Sequence, residues 1–172
     1  MINLKDRQWE EFLLSDVFII NSTSSSIDKI KLNGKKGQYP YITRSENNNG
    51  INDFIAEQPN YKLDSGNCIT VGLDTQTAFY QSVRFYTGQN IQILRNDRLN
   101  AENAKFIIPM LKNSMTVFSW GGNGATLGRL KRSKILLPVD DNEEPDWQFM
   151  EDCAHTIEHQ LISDYIRYKM NR

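Results

Sequence analysis

From residue 147 to residue 168 the apolar side chains fall at Trp147, Met150, Ala154, Ile157, Leu161, Tyr165 and Tyr168, at intervals of 3, 4, 3, 4, 4 and 3 positions. These intervals follow the roughly 3.6-residue turn of an α-helix, so an amphipathic helix is predicted from Asp146 to about Lys169. Pro145 or Asp146 supplies its start signal. The stripe must meet either the rest of the chain or another molecule.

Upstream the period changes to short β-like runs punctuated by Gly, Asn and Pro. Trp9 to Ile20 reads as a strand or strand pair, with a serine-rich loop from Asn21 to Ser26. Tyr39 to Thr43 is a short strand limited at Pro40, which suits a sheet edge or a strand start. Asn47 to Gly50 is a turn, because Asn and Gly tolerate positive φ. Ile51–Ile55, Cys68–Val71, Ala78–Tyr80, Asn90–Leu94 and Ile135–Leu137 complete the strands. Asn100 is the expected N-cap of a helix carrying Ala104, Ile107 and Leu111, which Pro109 should kink or end. The fold class is therefore α+β: a β-rich globular body over residues 1–139, then an acidic connector and C-terminal α-helix over 140–172.

Charge divides the same way. Residues 1–137 hold 17 Lys/Arg against 12 Asp/Glu, a net +5, and residues 138–172 hold 3 against 9, a net −6. Opposite blocks suggest a body and a tail with different partners, although clustering on solvated faces gives the same count. A length of 172 residues fits one domain. No apolar run reaches the roughly 20 residues of a membrane helix. The start lacks a signal peptide's layout, and Cys68 and Cys153 cannot frame a disulfide scaffold. The expectation is a cytoplasmic protein with no membrane partner.

Catalytic signatures are missing. Gly122 to Gly128 offers glycines without the Lys-Ser or Lys-Thr of a phosphate loop, and Gly128 comes one residue late for G-x-G-x-x-G. There is no G-x-S-x-G elbow, and Gln58-Pro59-Asn60-Tyr61 only scrambles the Asp/Asn-Pro-Pro-Tyr of amino-methyltransferases. His155-Thr156-Ile157-Glu158-His159 does match H-x-x-E-H, an inverted zinc-protease helix. A third ligand is lacking, since Cys153 sits at the wrong helical angle and Cys68 lies far upstream, so these residues are assigned to a solvated face. No catalytic residue, metal or cofactor is expected.

What remains is a set of polar, basic loops: Lys35 and Lys36; Thr43, Arg44, Ser45, Asn47, Asn48 and Asn49; Asp74, Thr75, Gln76, Thr77 and Gln81; and Arg129, Lys131, Arg132 and Lys134. Arg grips guanine bidentately and Asn or Gln grips adenine, while Lys, Ser and Thr hold phosphates. Each loop alone equally reads as ordinary surface.

The run Gly37-Gln-Tyr-Pro-Tyr-Ile-Thr-Arg-Ser-Glu-Asn-Asn-Asn-Gly-Ile51 resembles a segment of DNA target recognition domains. These belong to the specificity subunits of Type I restriction–modification systems and their Type II relatives. Matches continue in order through Val71-Gly72, Thr77 to Gln81, Phe85 to Ile91, Trp120 to Gly128 and Lys131 to Pro138, with Trp9…Asp16-Val17-Phe18 similar to the family's start. The resemblance implies a non-catalytic domain that binds double-stranded DNA and directs DNA adenine methyltransferase subunits and a restriction (endonuclease/translocase) subunit to a split site. Family members carry two such domains joined by long helices. One domain with one helix implies either half a subunit that pairs as a homodimer or with a second half, or a fragment.

On that basis the Thr43–Gly50 loop enters or borders the DNA groove, with Arg44 the foremost base contact and Thr43 and Ser45 DNA-binding candidates beside it, and Thr75, Gln76 and Gln81 are secondary candidates for base edges. Asn47, Asn48 and Asn49 either read bases or shape the turn. Lys35, Lys36, Arg84, Lys131 and Arg132 are phosphate contacts, and Asn123 belongs to a glycine loop that lets backbone approach phosphate or merely turns. Trp147, Met150, Ala154, Ile157, Leu161, Tyr165 and Tyr168 form the partner-docking stripe, unless the helix folds back on its own body. The alternative function is an interaction module or decoy that occupies the methyltransferase through this helix without reading DNA.

Overall fold

A computed structural model of the chain describes residues 2–116 and 126–172. Trp120, Gly121–Gly124 and the candidate Asn123 lie outside the described residues. In chain order the elements are β1 (Trp9–Leu13), α1 (Leu14–Val17), β2 (Ile19–Ser22), β3 (Lys36–Ile42), β4 (Ile51–Ile55) and β5 (Cys68–Gly72). Then follow β6 (Thr77–Gln81), β7 (Tyr86–Thr87), β8 (Ile91–Arg95), α2 (Ala101–Met115), α3 (Leu127–Arg132), β9 (Lys134–Pro138) and α4 (Trp147–Met170).

The strand or strand pair expected across Trp9–Ile20 is a pair, β1 and β2, parted by α1. Leu14 and Val17 are 0% and 5% exposed. A strand would send residues three apart to opposite faces, whereas one helical turn turns both toward the core. Phe18 N–H closes the turn on Leu14 O at 2.8 Å.

Among the described residues the body forms three sheets. An antiparallel sheet in the order β2-β8-β5-β6 lies between α2 on one face and a smaller sheet, β4-β3-β7, on the other; β1 and β9 pair as a separate ribbon. Alternation along β5 sorts the two faces. Ile69 and Val71 enter the main core with Ile107, Leu111 and Met115 of α2, while Cys68 meets Ile42, Phe85 and Ile93. Pro40 was expected at an edge or a strand start. Instead β3 is the middle strand, but β7 pairs only with Tyr41 and Ile42, so Pro40 has a partner strand on one side alone.

Pro109 does not end α2, which continues to Met115. An interior proline costs about 3 kcal/mol or more. Burial of Ile107, Leu111 and Met115, each 0% exposed, contributes roughly 1.5–3 kcal/mol apiece and outweighs it. Asn100 caps the helix as expected, accepting from Glu102 and Asn103 N–H at 2.9 Å each.

The acidic connector is tied down. Asp140 accepts from Asn142 and Glu144 N–H, which hold its carboxyl below the ordinary range. Val139 bridges Pro145, and Asp146 caps α4 while pairing with Arg7 at 2.8 Å. No helix among the described residues is long and apolar enough to cross a membrane.

Candidate nucleic-acid interface

Three connectors converge at one end of the stacked sheets: Thr43–Gly50 between β3 and β4, the turn between β5 and β6, and Gly88–Asn90 between β7 and β8. Parallel pairing of Tyr41 with Tyr86 and Ile42 with Thr87 aligns the first and third, and Gly88 N–H donates to Ile42 O at 2.8 Å. Arg44 Nη1 donates to Asp74 Oδ2 at 2.5 Å, and Asn90 Nδ2 donates to the same oxygen at 3.2 Å. One carboxylate thus joins all three connectors. Beside it a cleft of about 180 Å³ is lined by Asp28, Lys29, Tyr41, Thr43, Arg44 and Gln89, among others.

The loop carrying Arg44 is held by its own residues. Asn48, Asn49 and Gly50 have φ of 52°, 57° and 76°, the left-handed region that Asn and Gly enter most readily. Ser45 Oγ accepts from Asn47 N–H at 3.2 Å, and Thr43 N–H bonds Gly50 O at 2.8 Å. Asn49 is committed to the fold: its Nδ2 donates to Tyr80 O at 2.9 Å. Gln81, 4% exposed, donates from Nε2 to Asn49 O and to Thr70 Oγ1, each at 3.1 Å. A buried amide so engaged braces the loop rather than meeting a base edge. Thr75 Oγ1 shares a hydrogen bond with Thr77 Oγ1 at 3.0 Å, and Gln76, half-buried, takes φ 54° at the turn's tip.

The other candidates stand elsewhere. Lys35 and Lys36 lie at the start of β3, whereas Arg44 follows its end. Lys36 pairs there with Asp53 at 2.5 Å; that ammonium, with Phe54 N–H, holds the Asp53 carboxyl below its usual range. Arg84 is exposed in the connector after β6, where Ser82 and Val83 pass against Gly66 at the far end of β5. Lys131 and Arg132 lie on α3, which packs on α1 and β2. Three groups near the converging connectors were not singled out from sequence: Lys29, Asn90 and Lys112, whose Nζ sits 5.1 Å from the Phe79 ring. The pairing of β3 with β7 brings the connector of Asn90 beside Arg44, and the stacking of the two sheets brings Asp74 to it.

The stripe on α4 divides in two. Trp147, Met150 and Ala154 are 5%, 0% and 7% exposed, packed into the main core with α2, so they cannot dock a partner. Ile157, Leu161, Tyr165 and Tyr168 are 51–65% exposed, and Ile162, Ile166 and Met170 widen this bare apolar face. Its root borders an apolar groove of about 320 Å³ between Phe106, Ala154, Ile157, Leu161 and Ile162.

The H-x-x-E-H residues do gather in part: His155 and Glu158 lie with Glu102, ligand atoms within 4.8 Å of one another. Lys105 Nζ already fills the space between the carboxylates, at 2.7 Å from Glu102 and 2.8 Å from Glu158, and holds Glu158 below its ordinary range. An ammonium in that position satisfies the acids without a metal.

Residues 6–164 match the family model for the Type I restriction modification DNA specificity domain. The chain is 28% identical over 167 residues to the Type II restriction enzyme specificity subunit S.BcgI of Heyndrickxia coagulans, covering 93% of this chain and 46% of that protein. Among solved structures it is similar to the S subunit of a Type I restriction–modification system from M. genitalium, with TM-score 0.65, 15% identity, and 91% and 40% of the two chains covered. The HsdS subunit of Thermoanaerobacter tengcongensis gives TM-score 0.60 at 15% identity, covering 90% of this chain and 38% of that one. These solved structures share its fold, and the chain spans less than half the length of each of these relatives.

Proposed function

This chain belongs to the Type I restriction modification DNA specificity domain family, and from that membership we propose that it reads one half of a split DNA site. The observation that carries the reading is the meeting of three strand-end connectors at the Arg44–Asp74–Asn90 contact. Polar side chains on rigid strand ends are suited to base edges in a groove. Arg44 contacts a base, with Thr43, Ser45, Thr75 and Gln76 beside it. Lys29 and Lys112 meet phosphate nearby, and Lys131 and Arg132 do so from α3.

The chain does no chemistry in this account. Adenine methylation and cleavage belong to methyltransferase and restriction subunits, which meet DNA in the cytoplasm where this chain directs them. The exposed half of α4, from Ile157 to Met170, is the recruiting arm. It is about 21 Å long at roughly 1.5 Å per residue, and its apolar face is larger than a solvated helix carries without purpose. The recognition unit then runs through Ala154, because the first turns of α4 belong to its core. Pairing of two copies through this arm would repeat the half-site about a two-fold axis.

Mapping N6-methyladenine across the source genome, with and without the gene for this chain, tests the proposal. Loss of methylation at one split motif is expected, and its return with wild-type but not with Leu161→Asp. An unchanged methylation map would contradict it.

A further inference from the structure

We infer that Asp74 is a positioning residue that fixes Arg44 for guanine, so that the half-site read by this chain contains a G·C pair under Arg44; this rests on the DNA-reading function proposed above. An arginine on a loop sweeps many rotamers and meets phosphates as readily as bases. Here its motion is confined at two points. A Cβ built at Gly72 would lie 3.7 Å from Arg44 Cγ, so the side chain's stem runs over the glycine that ends β5. Its head is fixed by Nη1 on Asp74 Oδ2 at 2.5 Å.

Asp74 is itself anchored, since Asn90 Nδ2 donates to the same oxygen at 3.2 Å from the neighbouring connector. Among the described residues Nε and Nη2 of Arg44 meet no acceptor, and the side chain is 46% exposed. The guanidinium therefore offers further N–H donors, in the fixed fork that matches O6 and N7 of guanine. Adenine sets a donor at N6 where guanine has O6 and refuses that fork.

Charge separates this role from a phosphate contact. The Arg44–Asp74 pair is neutral as a unit, and Asp74 is 41% exposed beside it. A neutral pair gains little from the polyanionic backbone, whose contacts come from bare cations. It loses nothing at a base edge, where geometry decides.

The test is binding selection by the full 172-residue chain from duplexes with a randomised core, followed by sequencing and by salt titration of the selected duplex. The wild type is expected to enrich guanine at one position by on the order of tenfold or more. Arg44→Lys, which keeps the charge but not the fork, and Asp74→Ala should flatten that position while leaving the others in place. Asp74→Ala should also steepen the salt dependence by about one phosphate contact, as the released guanidinium turns to the backbone. A merely structural role would weaken every position together and would not steepen the slope. Asp74→Asn, which still accepts from Arg44 and Asn90, should retain guanine at a reduced ratio.

The inference is overturned if the Arg44-dependent position is not guanine, or if Asp74→Ala leaves it unchanged in a protein that melts like the wild type. Should Asp74→Ala not fold, an Asp74→Asn variant with no preference left at any position overturns it too. Failure of the wild type to retain any duplex in a salt-sensitive way would remove the DNA-reading function itself, and this inference with it.

Discussion

Asn49, in the connector between β3 and β4, and Gln81, on β6, hold each other reciprocally: Asn49 Nδ2 reaches Gln81 Oε1 at 3.4 Å and Gln81 Nε2 donates to Asn49 O at 3.1 Å. The contact ties the Arg44 loop to β6 beneath it. Gln81→Ala leaves the buried Thr70 Oγ1 and the part-buried Asn49 O without this donor. The expected cost is about 1–3 kcal/mol of stability, read by urea denaturation. DNA preference should change no more than the loosened loop dictates.

The two halves of the α4 stripe should respond oppositely to substitution. Trp147→Ala removes a ring packed edge-on to Phe18 at 6.0 Å, and core truncations of this size cost about 3–5 kcal/mol. Leu161→Asp, at a position 65% exposed, should leave stability within about 0.5 kcal/mol yet abolish self-association or methyltransferase capture. Denaturation and light scattering over a concentration series measure the two effects. A chain that stays monomeric and captures no methyltransferase, with or without the substitution, would leave the arm without a role.

Lys131 and Arg132 act through phosphate in this account. Lys131→Ala should weaken binding to all duplexes alike and reduce the slope of log K against log salt by roughly one. A change confined to one base position would instead make α3 a reading element.

Cys68 sets a pH limit. Burial pushes its thiol from 9.0 up to about 12, so in the folded state it stays neutral where the unfolded chain ionises. The unfolded state then binds fewer protons between pH 9 and about 12, and stability falls as pH rises through that window. Compared with wild type, Cys68→Ala should show a shallower loss of stability from pH 9 to 11 in chemical denaturation.

Local pattern carried much of this fold. β4 is found at Ile51–Ile55 as expected, and β5, β6, β8 and β9 fall within one or two residues of their predicted runs, because alternation and Gly or Asn punctuation mark short strands. α1 and the continuation of α2 through Pro109 were hidden, since both are decided by what Leu14, Val17 and Leu111 bury against. The site was half legible for the same reason. Arg44 and its Asn-rich loop stand out in the chain, but Asp74 lies 30 residues from Arg44 and reaches it only through the stacking of two sheets. Lys36 is legible in the chain as a basic residue, but its partner Asp53, 17 positions on, is invisible until β3 and β4 pair.

The central claim is that the end of the body bearing Arg44 binds duplex DNA. Fluorescence anisotropy of a labelled mixed-sequence duplex, titrated with the purified chain from low to physiological salt, tests it most directly. Binding that falls steeply and linearly in log salt, and that Lys29→Ala and Lys112→Ala weaken while Lys36→Ala does not, is the predicted result. No measurable binding at the lowest salt, with the methyltransferase still captured through α4, would contradict it and identify the chain as a docking module that does not read DNA.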